Sequence, residues 1–283
     1  MLRPPAPPVD IAALAPTDRS RRMLEAALAG AEAIRALRAH AGRWEGAALE
    51  RKGARDFVTA ADRQSEAAVA AALSSAFPDH AITGEEGTAI GRDGGRDGAG
   101  TFLVDPIDGT TNFAWGMPFF GIAIALVEGG ETVAGVVLDP SLGEAFVAER
   151  GLGAFLNGRR LRIDRGVVPE EALVGASLPI PGQVRSIEVE SYHRALRGVI
   201  DRAAGVRRLG SAALSLCYVA AGRHDAFFED GLSPLDYAAA VLMLREAGGI
   251  ATGFDGGPIP ATGAVLGANP GLHPWLVGLL TGG

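Results

Sequence analysis

One cysteine, Cys217, occurs in the 283 residues, so no disulfide framework exists. Its setting in the apolar run AALSLCYVAAG reads as that of a packed small hydrophobe. Basic charge is not in excess either: 26 Lys and Arg face 33 Asp and Glu, a net charge of −7. That balance argues against a general nucleic-acid or anionic-membrane binder, whose phosphate contacts need a basic surface, and leaves open only a local basic patch. Apolar runs such as FFGIAIALV (119–127) fall far short of the roughly 20 residues a membrane-spanning helix needs. The opening MLRPPAPPVD is broken by proline and lacks the apolar stretch of a signal peptide, which makes a reducing cytoplasm the expected compartment. No Walker A motif is present. None of His40, His80, His193, His224 and His273 stands at zinc-site spacing from another ligand.

What is present is a chain with 48% hydrophobic residues, long enough for two domains or one large one. Residues 1–16 hold five prolines and read as a flexible arm. Met23, Leu24, Ala27, Leu28, Ala31, Ile34 and Leu37 recur at three- and four-residue spacing and predict an amphipathic helix from Asp18 to about His40, capped by Thr17 or Asp18. A second helix is expected from about Asp62 to Ala76, stopped by Phe77-Pro78-Asp79. Strands are expected at Ala81–Gly84 and Thr101–Asp105, with GRDGGRDGAG (91–100) as a solvated loop between them. A hairpin around Gly129-Gly130 and two further strands through Asn157-Gly158 complete an α+β unit over residues 17–166. From 167 to 283 strands and helices alternate, the texture of a mixed α/β domain, and no repeat of solenoid period appears.

The stretch VDPIDGTTNF (104–113) sets two carboxylates three residues apart after the apolar run TFLV. Pro106 and Gly109 make a helix through them implausible, so a turn at the strand end is expected to aim Asp105, the carbonyl of Ile107 and Asp108 at one point. Converging hard oxygens suit Mg²⁺, because neighbouring unpaired carboxylates are otherwise strongly unfavourable. Gly109, Thr110 and Thr111 then offer backbone N–H groups and hydroxyls to a phosphate. A capped turn with its acids in solvent is the competing reading. Glu85 and Glu86 close another short strand, Asp62 stands near a helix start, and Asp236 lies in the first turn after Pro234, where capping is an ordinary role.

In order along the chain, DFVTAAD (56–62), GEE (84–86), VDPIDGTTNF (104–113), GLGAFLNGRRL (151–161), RRLGSAAL (207–214) and PLDYAAAVLMLREAGG (234–249) resemble the inositol monophosphatase family of metal-dependent phosphatases. The resemblance runs from about residue 20 to the C-terminus. It implies a layered αβαβα sandwich of the sugar-phosphatase type and Mg²⁺-dependent hydrolysis of a small phosphate monoester. By the same resemblance, Glu85, Asp105, Ile107 through its carbonyl, Asp108 and Asp236 are the metal ligands. Asp62 and Thr110, with Glu85, activate the attacking water. Asp108, Gly109, Thr110 and Thr111 hold the phosphate, while Gly210, Ser211, Ala212 and Glu229 contact the rest of the substrate. A homodimer and sensitivity to Li⁺ are also implied.

Two departures stand out. Leu235 replaces a tryptophan common in the family, and the family's lysine ahead of the DFVT segment corresponds to Lys52 or Arg51. Glu229 favours a polyol or an amine without deciding between them; by the resemblance inositol 1-phosphate is the expected substrate, with histidinol phosphate, fructose 1,6-bisphosphate and 3′-phosphoadenosine 5′-phosphate as alternatives. A covalent aspartyl-phosphate mechanism of the haloacid dehalogenase type needs an acid two residues before the Asp-Gly-Thr aspartate, where this chain has Pro106. A regulatory binding protein with a vestigial site is the non-enzymatic alternative.

Overall fold

Thr17 caps the first helix: its Oγ1 accepts the Ser20 N–H at 3.3 Å, and helix α1 (Asp18–His40) follows. The computed structural model describes residues 14–40, 50–51, 57–58, 60–163, 166–180 and 182–282. The prolines of the arm other than Pro16, along with Lys52, Asp56 and Thr59, lie outside the described residues. The apolar stripe of α1 (Met23, Leu24, Ala27, Ala31 and Ile34) is buried. It packs against α2 (Ala60–Ala76), which starts two residues earlier than expected and so puts Asp62 in its first turn. Between these helices, β1 (Glu50–Arg51) pairs with β2 (Phe57–Val58).

Under α1 and α2 lies an eight-stranded sheet. Its strands are β3 (Ala81–Gly84), β4 (Ala89–Ile90), β5 (Thr101–Asp108), β6 (Gly121–Glu128), β7 (Glu131–Asp139), β8 (Glu144–Glu149), β9 (Gly153–Leu156) and β10 (Arg159–Arg160). Their spatial order is β10-β9-β8-β7-β6-β5-β3-β4. Only the β3 and β5 pair is parallel; the rest is an antiparallel meander around the Gly129-Gly130 and Asn157-Gly158 turns, as the turn residues predict. The 91–100 segment is not merely solvated. A 3₁₀ turn at Arg96–Gly98 and the Thr101 hydroxyl, which accepts the Gly94 N–H and donates to Asp93, both at 2.8 Å, give it a defined path.

The second sheet has the order β12-β11-β13-β15-β14, from β11 (Leu173–Ala176), β12 (Gly205–Arg207), β13 (Ala226–Glu229), β14 (Ile250–Thr252) and β15 (Val265–Ala268). Helices α5 (Ala212–Ala220) and α6 (Pro234–Glu246) fill the space between the sheets, and α4 (Val189–Arg202) and α7 (His273–Thr281) cover the far face. The order is therefore helix, sheet, helix, sheet, helix, the layered sandwich expected. The middle layer explains why α5 and α6 are apolar nearly all round: helices between two sheets bury both faces. Their core joins Ala123, Val137 and Phe146 to Leu214, Leu216, Met243 and Leu244, residues from either side of position 166. No helix among the described residues is long and apolar enough to cross a membrane.

Candidate active site

Strand β5 does not end at Asp105, as its sequence suggests, but runs to Asp108. In a regular strand residues three apart point to opposite faces. Here Asp105 pairs with Ala123 and Asp108 with Gly121, so β5 spends one more residue than β6 over this stretch. That bulge turns both carboxylates to the same side. Pro106 is tolerated because it needs no ladder bond there, and its carbonyl accepts the Ser65 hydroxyl at 3.1 Å.

Each acid is then held by a different element. Asp105 Oδ1 accepts the Ile107 N–H at 3.0 Å. Asp108 points at the start of α5, where it accepts the Ala213 N–H at 2.7 Å, the Ala212 N–H at 3.2 Å and the Ser211 hydroxyl. Asp236 serves α6 as a capping-box acid, its Oδ2 accepting the Ser233 N–H at 2.7 Å. The turn after β3 that carries Glu85 and Glu86 hangs on Glu66 of α2, which accepts the N–H groups of Glu86 at 2.7 Å and Thr88 at 2.9 Å. After Asp108, Gly109 adopts φ 99°, and a side chain there would press on the carbonyls of Gly210 and Phe119 at 3.1 and 3.2 Å. Helix α3 (Thr110–Ala114) follows, with its first N–H groups lacking acceptors within the helix.

Glu85, Asp105, Ile107, Asp108, Gly109, Thr110, Gly210, Ala212, Glu229 and Asp236 line one cleft of about 190 Å³, together with Arg208 and Leu232. The side chain of Ile107 is in the core, so its backbone is what faces the opening. Three of the sequence candidates do not line it. Asp62 is fully buried behind Thr110, whose hydroxyl lies 3.1 Å from both Asp62 Oδ1 and the Ile107 carbonyl. Ser211 is buried beneath the cleft, where it holds Asp108 and caps α5 through the Leu214 N–H at 3.2 Å. Thr111 is exposed on α3.

The electrostatics follow from burial. Loss of solvent pushes Asp105 well above the usual carboxylate range, and Glu85, Asp108 and Asp236 push it the same way. Burial carries Asp108 up to about 7 against the opposing bonds from Ser211, Ala213 and Ala212. Glu229 is also pushed up to about 7 by burial, against Ser177, Gln183 and Arg208. Among the described residues no three or more His, Cys, Asp or Glu side chains stand in finished metal-ligand geometry. Even so, Glu85 hydrogen-bonds Asp105, so an exposed carboxylate meets a buried one at the cleft. All-oxygen donors crowded in this way fit a hard divalent cation, which would relieve their repulsion.

Sequence reading missed Glu66, Arg208, Leu232 and Gln183. Glu66 left a signal: with Asp62, Ser65, Val69 and Leu73 it falls on the buried face of α2, where a charged residue is out of place. Arg208 lies inside the recognised RRLGSAAL segment and Leu232 in the loop before α6, and nothing in the local pattern marks either residue for the cleft.

A model of the inositol monophosphatase family matches residues 20–281. Among curated relatives, Nus factor SuhB of Pseudomonas aeruginosa is 46% identical over 210 residues, which are 74% of this chain and 76% of that protein. Inositol-1-monophosphatase of Rhizobium meliloti is 45% identical over 218 residues, 76% and 80% of the two chains. Among solved structures, the extragenic suppressor protein SuhB of Bartonella henselae superposes with a TM-score of 0.85 at 39% identity, over 94% of this chain and all of that one. A Thermotoga maritima IMPase superposes at 0.80 with 32% identity, over 94% and 98%. Fold and matches together define a phosphatase of the class that acts on small phosphate monoesters and is generally metal-dependent. The chain belongs to the inositol monophosphatase family.

Proposed function

We propose that the chain is a Mg²⁺-dependent phosphate monoester hydrolase whose substrate is inositol 1-phosphate. The observation that carries this reading is the meeting of Glu85, Asp105, Asp108 and Asp236, from three separate segments, in the cleft that Thr110 also lines. Those four side chains and the Ile107 carbonyl would hold the metal. The chemistry Mg²⁺ supplies when bound is acidification of water, neutralisation of phosphate charge and stabilisation of the departing alkoxide.

The remaining steps belong to the chain. Backbone N–H groups of Gly109 and Thr110, which line the cleft, orient the phosphate, and that of Thr111, next along α3, would have to reach it from outside the lining. The Thr110 hydroxyl, its proton directed to Asp62 or to the Ile107 carbonyl, turns an oxygen lone pair to the attacking water. Asp62 accepts the proton relayed through that hydroxyl, and Glu85 assists at the open side of the cleft. Gly210 and Ala212 contact the leaving group through their backbones, and Glu229 takes its hydroxyls. Family membership supports a homodimeric, Li⁺-sensitive cytoplasmic enzyme as part of the same reading.

Phosphate release from inositol 1-phosphate, histidinol phosphate, fructose 1,6-bisphosphate and 3′-phosphoadenosine 5′-phosphate, with and without Mg²⁺, tests the proposal. Preference for inositol 1-phosphate that disappears in a folded Asp108→Asn variant is expected. Wild-type turnover in that variant would overturn the assignment. Relatives named Nus factor SuhB favour a second reading, in which the chain also serves as a factor of that kind. Such a role would survive Asp108→Asn while hydrolysis would not.

A further inference from the structure

Glu229 ends β13 and faces the cleft, but its carboxylate is not left to rotate. Its Oε1 accepts the Gln183 amide N–H at 2.7 Å, across 46 positions of sequence. Ser177, just after β11, hydrogen-bonds the same carboxylate. Gln183 belongs to a stretch without any recognisable motif, and that stretch is tied down independently of Glu229. The next residue, Asp230, is buried and accepts the N–H groups of Arg185 and Ser186, each at 2.8 Å, and the Ser186 hydroxyl at 2.7 Å. Gly231 then passes so close beneath that a Cβ on it would lie 2.3 Å from the Gln183 carbonyl oxygen. The backbone that presents the Gln183 amide is therefore strapped to the backbone that presents Glu229.

A carboxylate has two oxygens and about four acceptor sites. With donors from Gln183 and Ser177 already committed, the directions open to a ligand are reduced to the side facing the cleft. The amide is neutral, so it orients the carboxylate without cancelling its charge, and an ionised acceptor makes the stronger hydrogen bonds. Such a group selects a leaving portion that places a hydroxyl donor at one defined point.

We propose that Gln183 is a positioning residue for substrate choice: it fixes Glu229 so that one carboxylate oxygen meets a hydroxyl of a polyol phosphate. The inference rests on the reading of Glu229 as the acid that recognises the substrate.

The test compares kcat/KM for inositol 1-phosphate with that for 4-nitrophenyl phosphate, which offers no hydroxyl. In Gln183→Ala the ratio falls about 3- to 10-fold, chiefly through the KM for inositol 1-phosphate. Gln183→Glu, which sets a second carboxylate against Glu229, lowers it further. In a Glu229→Ala background, Gln183→Ala changes the ratio by less than about 2-fold, because it acts only through Glu229. A loss of packing alone would not vanish in that background. If Glu229→Ala lowers the ratio and neither Gln183 variant does, the inference fails and the reading of Glu229 stands. An undiminished Gln183 effect in the Glu229→Ala background also overturns the inference. If Glu229→Ala leaves the ratio unchanged, both fall. Should the wild type release no phosphate from either compound, calorimetric binding of inositol 1-phosphate replaces the ratio, and equal affinity in wild type and Gln183→Ala overturns the inference.

Discussion

The carboxylate of Glu66 accepts the backbone N–H of Glu86 at 2.7 Å and so ties a buried face of α2 to the turn that presents Glu85. The second oxygen takes the Thr88 N–H at 2.9 Å, leaving the turn held at two points. In Glu66→Ala both N–H groups lose their acceptor and the turn around Glu85 loosens, although the Glu85 N–H still bonds the Val104 carbonyl at 3.1 Å. Mg²⁺ affinity, read from the metal dependence of phosphate release, is expected to drop about 10- to 100-fold. An unchanged metal dependence would show that the turn is held by other means.

Thr110 offers a cleaner probe of proton transfer, because valine keeps its shape and removes only the hydroxyl. Thr110→Val cuts the contact to Asp62 at 3.1 Å and should lower kcat about 10²- to 10⁴-fold while the variant stays folded. Asp62→Asn should give a loss of similar size, and the double variant little more, since the two act as a unit. Additive losses would show two separate roles.

Asn112 binds two parts of the site to each other. Its Nδ2 donates to the Phe119 carbonyl at 2.7 Å and the Leu209 carbonyl at 2.6 Å, joining the segment after Asp108 to the approach to α5. Asn112→Ala takes the donor from both partly buried acceptors and should cost about 1 to 3 kcal/mol. Chemical denaturation gives that figure directly. A change within error would mean that the carbonyls find other donors.

His224 makes the fold sensitive to acid. It is buried, its Nδ1 has no hydrogen-bond partner among the described residues, and its ring meets Tyr218 edge-on at 5.6 Å. Burial first, and Arg207 second, lower its pKa from the ordinary 6.5 to about 4. Between those values the unfolded chain binds the proton and the folded chain does not, so stability falls as pH drops from 6.5 toward 4. The loss reaches about 3 kcal/mol at the lower end. His224→Gln should flatten that part of the stability curve, whatever its effect at pH 7. Parallel curves for the two proteins between pH 4 and 6.5 would remove His224 as the cause.

Much of the fold is legible in local patterns. The three- and four-residue spacing in α1, the glycine pair between β6 and β7, and Pro234 at the start of α6 each act within a few residues, so they can be read one segment at a time. The acid-bearing motifs are legible for the same reason, since each is a short run at an element's end. Strand β5 shows the limit. A strand end was expected at Asp105, whereas the bulge that aligns Asp105 with Asp108 exists only through the register against β6. Ser211 shows another: its neighbours Gly210 and Ala212 line the cleft, while its own side chain turns inward to Asp108.

By itself, then, the sequence determined the elements, the acidic segments and the type of chemistry they suit, because periodicity, capping and turn residues are local causes. Only the tertiary structure decided how those segments meet. The partnerships of Glu66 with Glu86, Asp108 with Ser211 and Gln183 with Glu229 span 20, 103 and 46 positions. Pairings of that kind depend on how two sheets and the helices between them pack, and side-chain packing at such distances leaves no periodic mark along the chain.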